Sequence, residues 1–308
     1  MENKLKPKGI FYNSQKAVCS IWESGKMVYD ALSKSNNYSI DYSEETFMNP
    51  NYDFYVVNQH ITVNNWMSES IAKSLSKPVF CIVTEVCHNN NPIGNIPDYF
   101  TYYMVLDPTI TETNNIFSFP RPLEDYPVSE YIDKGFPIIG SFGFATPNKE
   151  WHKIVEGVNN EFDEALIRIN IPYATYVPPH IQNVESIRQL CQSFIKKEKI
   201  KLEMTSHLMD KATLVKWCSE NTLNVFLYNR THTHPTGLCA VTDQAISSKR
   251  PLLVSSDPTF RHILKYLKPY PQITFKEAMS NGGQVEKMYN DWSHENFYKK
   301  FEQILLIK

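Results

Sequence analysis

The chain is 308 residues long, 42% hydrophobic and 21% charged, which excludes disorder as the dominant state and supplies one large domain or two ordinary ones. With 31 Lys and Arg against 33 Asp and Glu, the formal charge is -2, so no whole-molecule field exists to hold nucleic acid or an anionic membrane. Only 10 Gly against 19 Pro excludes collagen-like and Gly/Ser-linker architectures. Cysteines stand at 19, 81, 87, 191, 218 and 239 with no CxxC pair, the scatter of core thiols in a reducing compartment. No stretch reads as a signal h-region, and the most apolar runs, 78–83 and 136–144, are strand-length and too short to span a bilayer. The expectation is a soluble cytoplasmic protein with no transmembrane segment.

In chain order, Gly9 to Tyr12 predicts a short buried strand, and 20–32 a helix with Ile21, Trp22, Met27, Val28, Ala31 and Leu32 near one face. A strand follows at 52–57, a helix at 66–75, and a strand at 78–83 that reads as buried on both faces, as parallel sheets require. The Asn- and Pro-rich 88–98 predicts a long loop, and 101–106 a further strand. Pro120, Pro122 and Pro127 then suggest a domain crossover. The second half alternates more plainly. Strands are predicted at 136–144, 165–169, 200–204, 223–228 and 251–255, with helices from Asn148, over 184–195, over 211–218, over 238–248, and from about Gln284 to the end. Such alternation indicates parallel sheets covered by helices, and two such halves make a cleft between domains the expected binding site.

Two segments could carry chemistry. In Gly140-Ser141-Phe142-Gly143-Phe144-Ala145-Thr146-Pro147-Asn148-Lys149, a strand, a two-glycine turn and a helix start form a phosphate seat, to which Lys149 would add a cation. Neither the P-loop spacing nor GxGxxG is present, which argues against an ATPase or a dehydrogenase. The second segment, from Tyr228 to Ala240, follows a buried strand and precedes a helix. Arg230 there could fork onto phosphate, and Thr236 and Gly237 stand where a helix would be capped. His232-x-His234 lacks a third ligand at useful spacing, so no metal site is assigned.

Ile139-Gly140-Ser141-Phe142-Gly143-Phe144 followed by Asn148-Lys149 resembles the opening of the donor-binding domain of GT-B-type glycosyltransferases, especially the family 4-like group. Asn224 to Tyr228, then Thr236-Gly237-Leu238-Cys239-Ala240, then Ala245 to Ser255 resemble that family's donor motif, with its A-x-A-x-G-x-P-V-x-x-S stretch; the likeness covers about 137–260. With Pro251 aligned to the family's proline, the two glutamates that frame this helix fall on Thr236 and Gln244, and the glycine before the proline is Lys249.

The resemblance implies two Rossmann-like α/β domains facing a cleft: an N-terminal acceptor-side domain over 1–134, a nucleotide-sugar-binding domain over 135–284, and a C-terminal helix over 285–308 that crosses back. It implies a metal-independent, retaining transferase without a resident cofactor, whose substrate is a nucleotide sugar of unassigned base. The acceptor could be a glycan, a lipid-linked glycan, a protein or a nucleic-acid base. Donors aimed at the departing diphosphate would come from Gly140, Ser141, Phe142 and Gly143, from Thr236, Gly237 and Leu238 with Gln244 behind them, and from Arg230 and Lys149. Thr205, Ser206 and His207 would contact the nucleoside. In the first half, Glu23-Ser24-Gly25-Lys26 adjoins the first helix, His60 after the 52–57 strand would orient the sugar, and Glu85 or His88 would be the base of an inverting enzyme. The alternatives are a degenerate nucleotide- or sugar-binding relative and a nucleotide-sugar epimerase.

Overall fold

The structure, a computed structural model, describes residues 6–14, 20–60, 65–85, 91–146, 148–174, 182–229 and 237–307. In chain order the elements are β1 (Lys8–Tyr12), α1 (Ser20–Leu32), β2 (Ser39–Ser43), β3 (Phe54–Asn58), α2 (Glu69–Ser74), β4 (Val79–Val83), β5 (Tyr102–Val105) and β6 (Ile116–Ser118). They continue with β7 (Ile138–Phe142), α3 (Trp151–Glu161), β8 (Ala165–Asn170), α4 (Val184–Ser193), β9 (Ile200–Thr205), α5 (Lys211–Ser219), β10 (Leu223–Phe226) and α6 (Val241–Ser247). Last come β11 (Leu252–Val254), α7 (Phe275–Ala278), α8 (Gly282–Asp291) and α9 (His294–Ile307). None of the helices among the described residues is long and apolar enough to cross a membrane.

Two units result. The first comprises Met1–Glu124, His234–Leu238 and Asn290–Lys308, the second Asp125–Thr233 and Cys239–Tyr289.

The first unit is built on a six-stranded parallel sheet in the order β2-β1-β3-β4-β5-β6. Because successive strand side chains point to opposite faces, the apolar runs fill two cores at once. Phe11, Phe54, Val56, Phe80, Ile82 and Met104 point to one side, where they meet Val28, Ala31 and Leu32 of α1 and Phe297, Phe301 and Ile304 of α9. Ile10, Tyr12, Tyr55, Val57, Cys81, Val83, Tyr103 and Val105 point to the other, against Met67, Ala72 and Ile96. The Phe301 ring lies 4.9 Å from Phe80, 5.5 Å from Tyr38 and 5.8 Å from Phe54, so α9 belongs to this unit's core although it comes last in sequence.

The second unit carries a five-stranded parallel sheet, β11-β10-β7-β8-β9. Ile139, Ile167, Ile169, Val225 and Leu253 form one core face with Ile154, Val155 and Val158 of α3. Phe142 packs edge-on against Phe226 at 5.2 Å and Trp217 at 6.2 Å. Reading β7 as the unit's first strand, the order is 3-2-1-4-5 reversed, and the direction of winding changes between β7 and β10. In the first unit it changes between β1 and β3. At such switch points neighbouring crossovers leave in opposite directions, which opens room for a ligand at the strands' carboxyl ends.

Several predicted elements differ in extent. The helix expected at 66–75 begins only at Glu69, where Ser68 accepts from the Ile71 N–H and caps it. The helix expected from Gln284 to the end is two helices. At the break, Trp292 O accepts from Leu123 N at 2.9 Å and Ser293 bridges to Leu123, so the chain hands its backbone groups to a neighbouring segment. β2 and β6 were not predicted; both are edge strands of mixed burial, and β6 has only three residues.

Candidate functional site

In the second unit, the switch point places the loop after β7 beside the loop after β10. The two are laced together: Glu150 N donates to Leu227 O at 2.9 Å, Asn229 N to Asn148 O at 2.9 Å, and Lys149 bridges antiparallel to Tyr228. Gly143, the first residue beyond β7, has φ +136°, a conformation costly for any residue with a Cβ. A Cβ there would lie 2.5 Å from Lys149 Nζ and 3.6 Å from Cγ1 of Val241, the first residue of α6. The turn, the ammonium and the start of α6 therefore converge. Lys149 Nζ donates to Phe144 O at 2.9 Å and stands 5.4 Å from the Tyr228 ring and 5.7 Å from the Trp151 ring. Among the described residues, no side chain caps the N-terminus of α6.

The structure divides the four residues of the expected phosphate seat between a strand and the turn that follows it. Gly140, Ser141 and Phe142 are not in the turn; they are buried residues of β7, a strand hydrogen-bonded on both sides. Gly140 is a packing glycine, since a Cβ would fall 1.9 Å from Asn221 Nδ2. Asn221 is fixed there by donating to Asn224 Oδ1 at 2.8 Å and accepting from Arg168 Nη1 at 3.2 Å. Ser141 is 1% exposed, and its buried Oγ has no hydrogen-bond partner among the described residues. Of the four, only Gly143 lies at the turn.

The second helix start is also displaced. α6 begins at Val241, because Cys239 N donates to Thr259 O at 3.1 Å and keeps the preceding chain out of the helix. Gly237 and Leu238 cluster with the first unit, where a Cβ on Gly237 would lie 3.3 Å from Thr84 O. Gln244 is half-buried within α6, next to the buried Asp243. Arg230, His232, His234 and Thr236 lie outside the described residues, as does His88.

Thr205, Ser206 and His207 lie at and just after the end of β9, two strands from β7. Sequence reasoning missed the residue that organises them. Asn170, at the end of β8 and 2% exposed, accepts from Thr205 Oγ1 at 2.8 Å and from His207 N at 3.1 Å, and its Nδ2 donates to His207 O at 3.0 Å. The signal in the sequence was a polar residue closing a strand in which Arg168 is the only other polar residue.

In the first unit, the switch point is marked by a pair of asparagines. Asn58 Nδ2 donates to Asn13 Oδ1 at 2.8 Å and to Ile21 O at 3.0 Å, which ties the ends of β1 and β3 to α1. His60 follows, 8% exposed, its Nε2 3.2 Å from Glu85 Oε2, while the Glu85 side chain is 62% exposed. The Glu23-Ser24-Gly25-Lys26 run serves packing and surface pairing. Ser24 donates to Ser20 O and accepts from the buried Arg121, and Lys26 pairs with Asp30. Among the described residues, no group of three or more His, Cys, Asp or Glu side chains is placed to hold a metal ion.

No family model matches the sequence, and no curated protein matches it. Solved structures match nearly the whole chain. The crystal structure of Anabaena Alr3699/HepE in complex with UDP and glucose aligns with a TM-score of 0.61 at 7% identity, covering 98% of this chain and 100% of that one. An Escherichia coli structure described as trehalose-6-phosphate bound with UDP-2-fluoro glucose aligns with a TM-score of 0.57 at 9% identity, covering 97% and 98%. The N-terminal domain of Candida albicans trehalose-6-phosphate phosphatase gives a TM-score of 0.58 at 8% identity, covering 99% and 98%. With its two parallel sheets, the chain has the GT-B-type glycosyltransferase fold.

Proposed function

We propose that this protein is a glycosyltransferase that takes a sugar from a nucleotide-sugar donor, with the second unit holding the nucleoside diphosphate. The observation that carries this reading is the convergence of the Gly143 turn, the Lys149 ammonium and the start of α6 at the β7/β10 switch point. As the glycosidic bond breaks, negative charge grows on the departing diphosphate. A fixed cation and main-chain N–H groups aimed at that charge lower the barrier more than they stabilise the ground state. Lys149 is held in place by a carbonyl and two aromatic rings, and a bond to phosphate, in which both partners are charged, is stronger than the one it makes to the uncharged Phe144 O.

On this reading Lys149 does the work a divalent cation does elsewhere, so transfer persists in a chelator, and the donor is the only cofactor-like molecule required. Support for the donor class comes from the similar structures that hold UDP or a UDP-sugar. In the first unit, His60, paired with Glu85, is the residue this reading assigns to orienting the transferred sugar, and the acceptor is a glycan, a lipid-linked glycan, a protein or a nucleic-acid base. Retention of anomeric configuration is part of the same proposal.

Thermal shift with UDP, GDP and ADP tests the reading. One of the three raises the melting temperature of the wild-type protein, and Lys149→Ala loses at least about 1.5 kcal/mol of that binding, the worth of a charged hydrogen bond. No shift with any of the three refutes the reading. A degenerate binding protein is separated from an enzyme by hydrolysis. The enzyme slowly releases sugar from its donor without acceptor, whereas binding with no turnover favours the degenerate reading suggested by the neutral Gln244.

A further inference from the structure

We infer that Asn170 is a positioning residue that sets the loop after β9 to read the nucleobase of the donor. This rests on the proposed seating of a nucleoside diphosphate in the second unit.

The loop leaves the sheet at Thr205 and carries the exposed His207 and Leu208, the latter 69% exposed. Such a segment at the rim would wander unless something fixed it. Asn170 does so in the manner of an added ladder rung: its side-chain amide exchanges hydrogen bonds with both the N–H and the C=O of His207, at 3.1 and 3.0 Å. Thr205 Oγ1 adds a third bond to Oδ1 at 2.8 Å, and Ile171 N donates to Thr205 O at 2.8 Å just beyond. An asparagine amide that is 2% exposed and engaged by both donor and acceptor holds the peptide of His207 against rotation as well as translation.

The same residue reaches the phosphate side. Gly143 N, in the turn beside Lys149, donates to the backbone O of Asn170 at 3.0 Å. Asn170 thus has its main chain on the turn after β7 and its side chain on the loop after β9. Those strands are two sheet spacings apart, about 10 Å, a span comparable to the reach from a diphosphate to its base. One residue therefore sets the distance between the part of the site that meets charge and the part that meets the ring. Replacing its side chain leaves the Gly143 bond, which is main chain, and releases only the loop.

The test is binding of UDP, GDP and ADP to wild type, Asn170→Ala and Asn170→Asp, with the thermal stability of each measured alongside. Asn170→Asp keeps the acceptor for His207 N but sets a second oxygen against His207 O. Expected is a loss of about tenfold for the preferred nucleotide, the worth of one to two hydrogen bonds, together with a narrowing of its advantage over the other two. A structural role alone weakens all three by one factor. That result, no change at all, or a wild type that binds the three equally overturns the proposal. A wild type that binds none sinks the donor-binding reading itself. Where Asn170→Ala fails to fold, Thr205→Val carries the same comparison with a smaller loss.

Discussion

The two glycines of the segment after Pro137 provide a paired experiment, because they occupy neighbouring positions for different reasons. In Gly140→Ala, the added methyl falls 1.9 Å from Asn221 Nδ2, and Asn221 cannot step aside without leaving Asn224 and Arg168. Those two hydrogen bonds are worth about 1 kcal/mol each, and overpacking a tight site adds about 1 kcal/mol or more. The sum, about 3 kcal/mol, lowers the melting temperature by roughly 6–12 °C for a folded unit of this size. None of these contacts faces the proposed diphosphate, so nucleotide affinity holds. In Gly143→Ala, the methyl meets the end of a flexible lysine chain at 2.5 Å and a φ of +136°. The conformational strain costs about 1–2 kcal/mol, less than in the first variant. Here the Lys149 ammonium is pushed off its seat, and nucleotide affinity falls about tenfold or more, or 1.4 kcal/mol. Calorimetry and scanning fluorimetry on the two variants with the preferred nucleotide read both quantities. Equal loss of affinity in both variants, or a greater loss in Gly140→Ala, would refute the turn at Gly143 as the phosphate seat.

Two further outcomes concern stability. His294, at the start of α9, is buried with neither ring nitrogen hydrogen-bonded among the described residues, and burial, then the Lys34 cation, lower its pKa from the ordinary 6.5 to about 4. The unfolded chain therefore takes up a proton in a window where the native protein does not. Stability is full above pH 6.5 and declines as pH falls toward 4, a slope in the urea midpoint that His294→Leu removes. An unchanged slope in that variant would assign the acid sensitivity elsewhere. Phe301→Ala removes a fully buried ring packed on Tyr38, Phe54 and Phe80, and costs about 3–5 kcal/mol in chemical denaturation. A loss below about 1 kcal/mol would show that α9 is peripheral to the first core.

The central strands were legible because their signal is local. Val79–Val83 is apolar throughout and Leu223–Phe226 is apolar but for Asn224, and all of these residues are buried, as a strand covered on both faces requires. β2, with Asp41 and Ser43 on an edge, carries no such signal, and its pairing with β1 is a tertiary fact. Around the site the same division holds. The strand-turn-helix pattern singled out Lys149 as a candidate, but not how much chain separates β7 from α3, so two glycines looked like one turn. Gly140 answers to Asn221, and Asn170 to His207; both partnerships join residues distant in sequence and leave no periodic trace. The switch points were illegible for the same reason, since strand order is decided by which crossovers pack and not by any residue on the strands.

The placement of α9 bears on how the molecule comes to exist. The first sheet closes one of its cores with Phe297, Phe301 and Ile304, residues that leave the ribosome after the entire second unit. Early in translation α1 alone covers that side of the sheet and part of it stays bare, while the second unit has all of its own core as soon as Tyr289 emerges. The later-made half is thus free to mature first, and the nascent amino-terminal half is the one that would call on a chaperone.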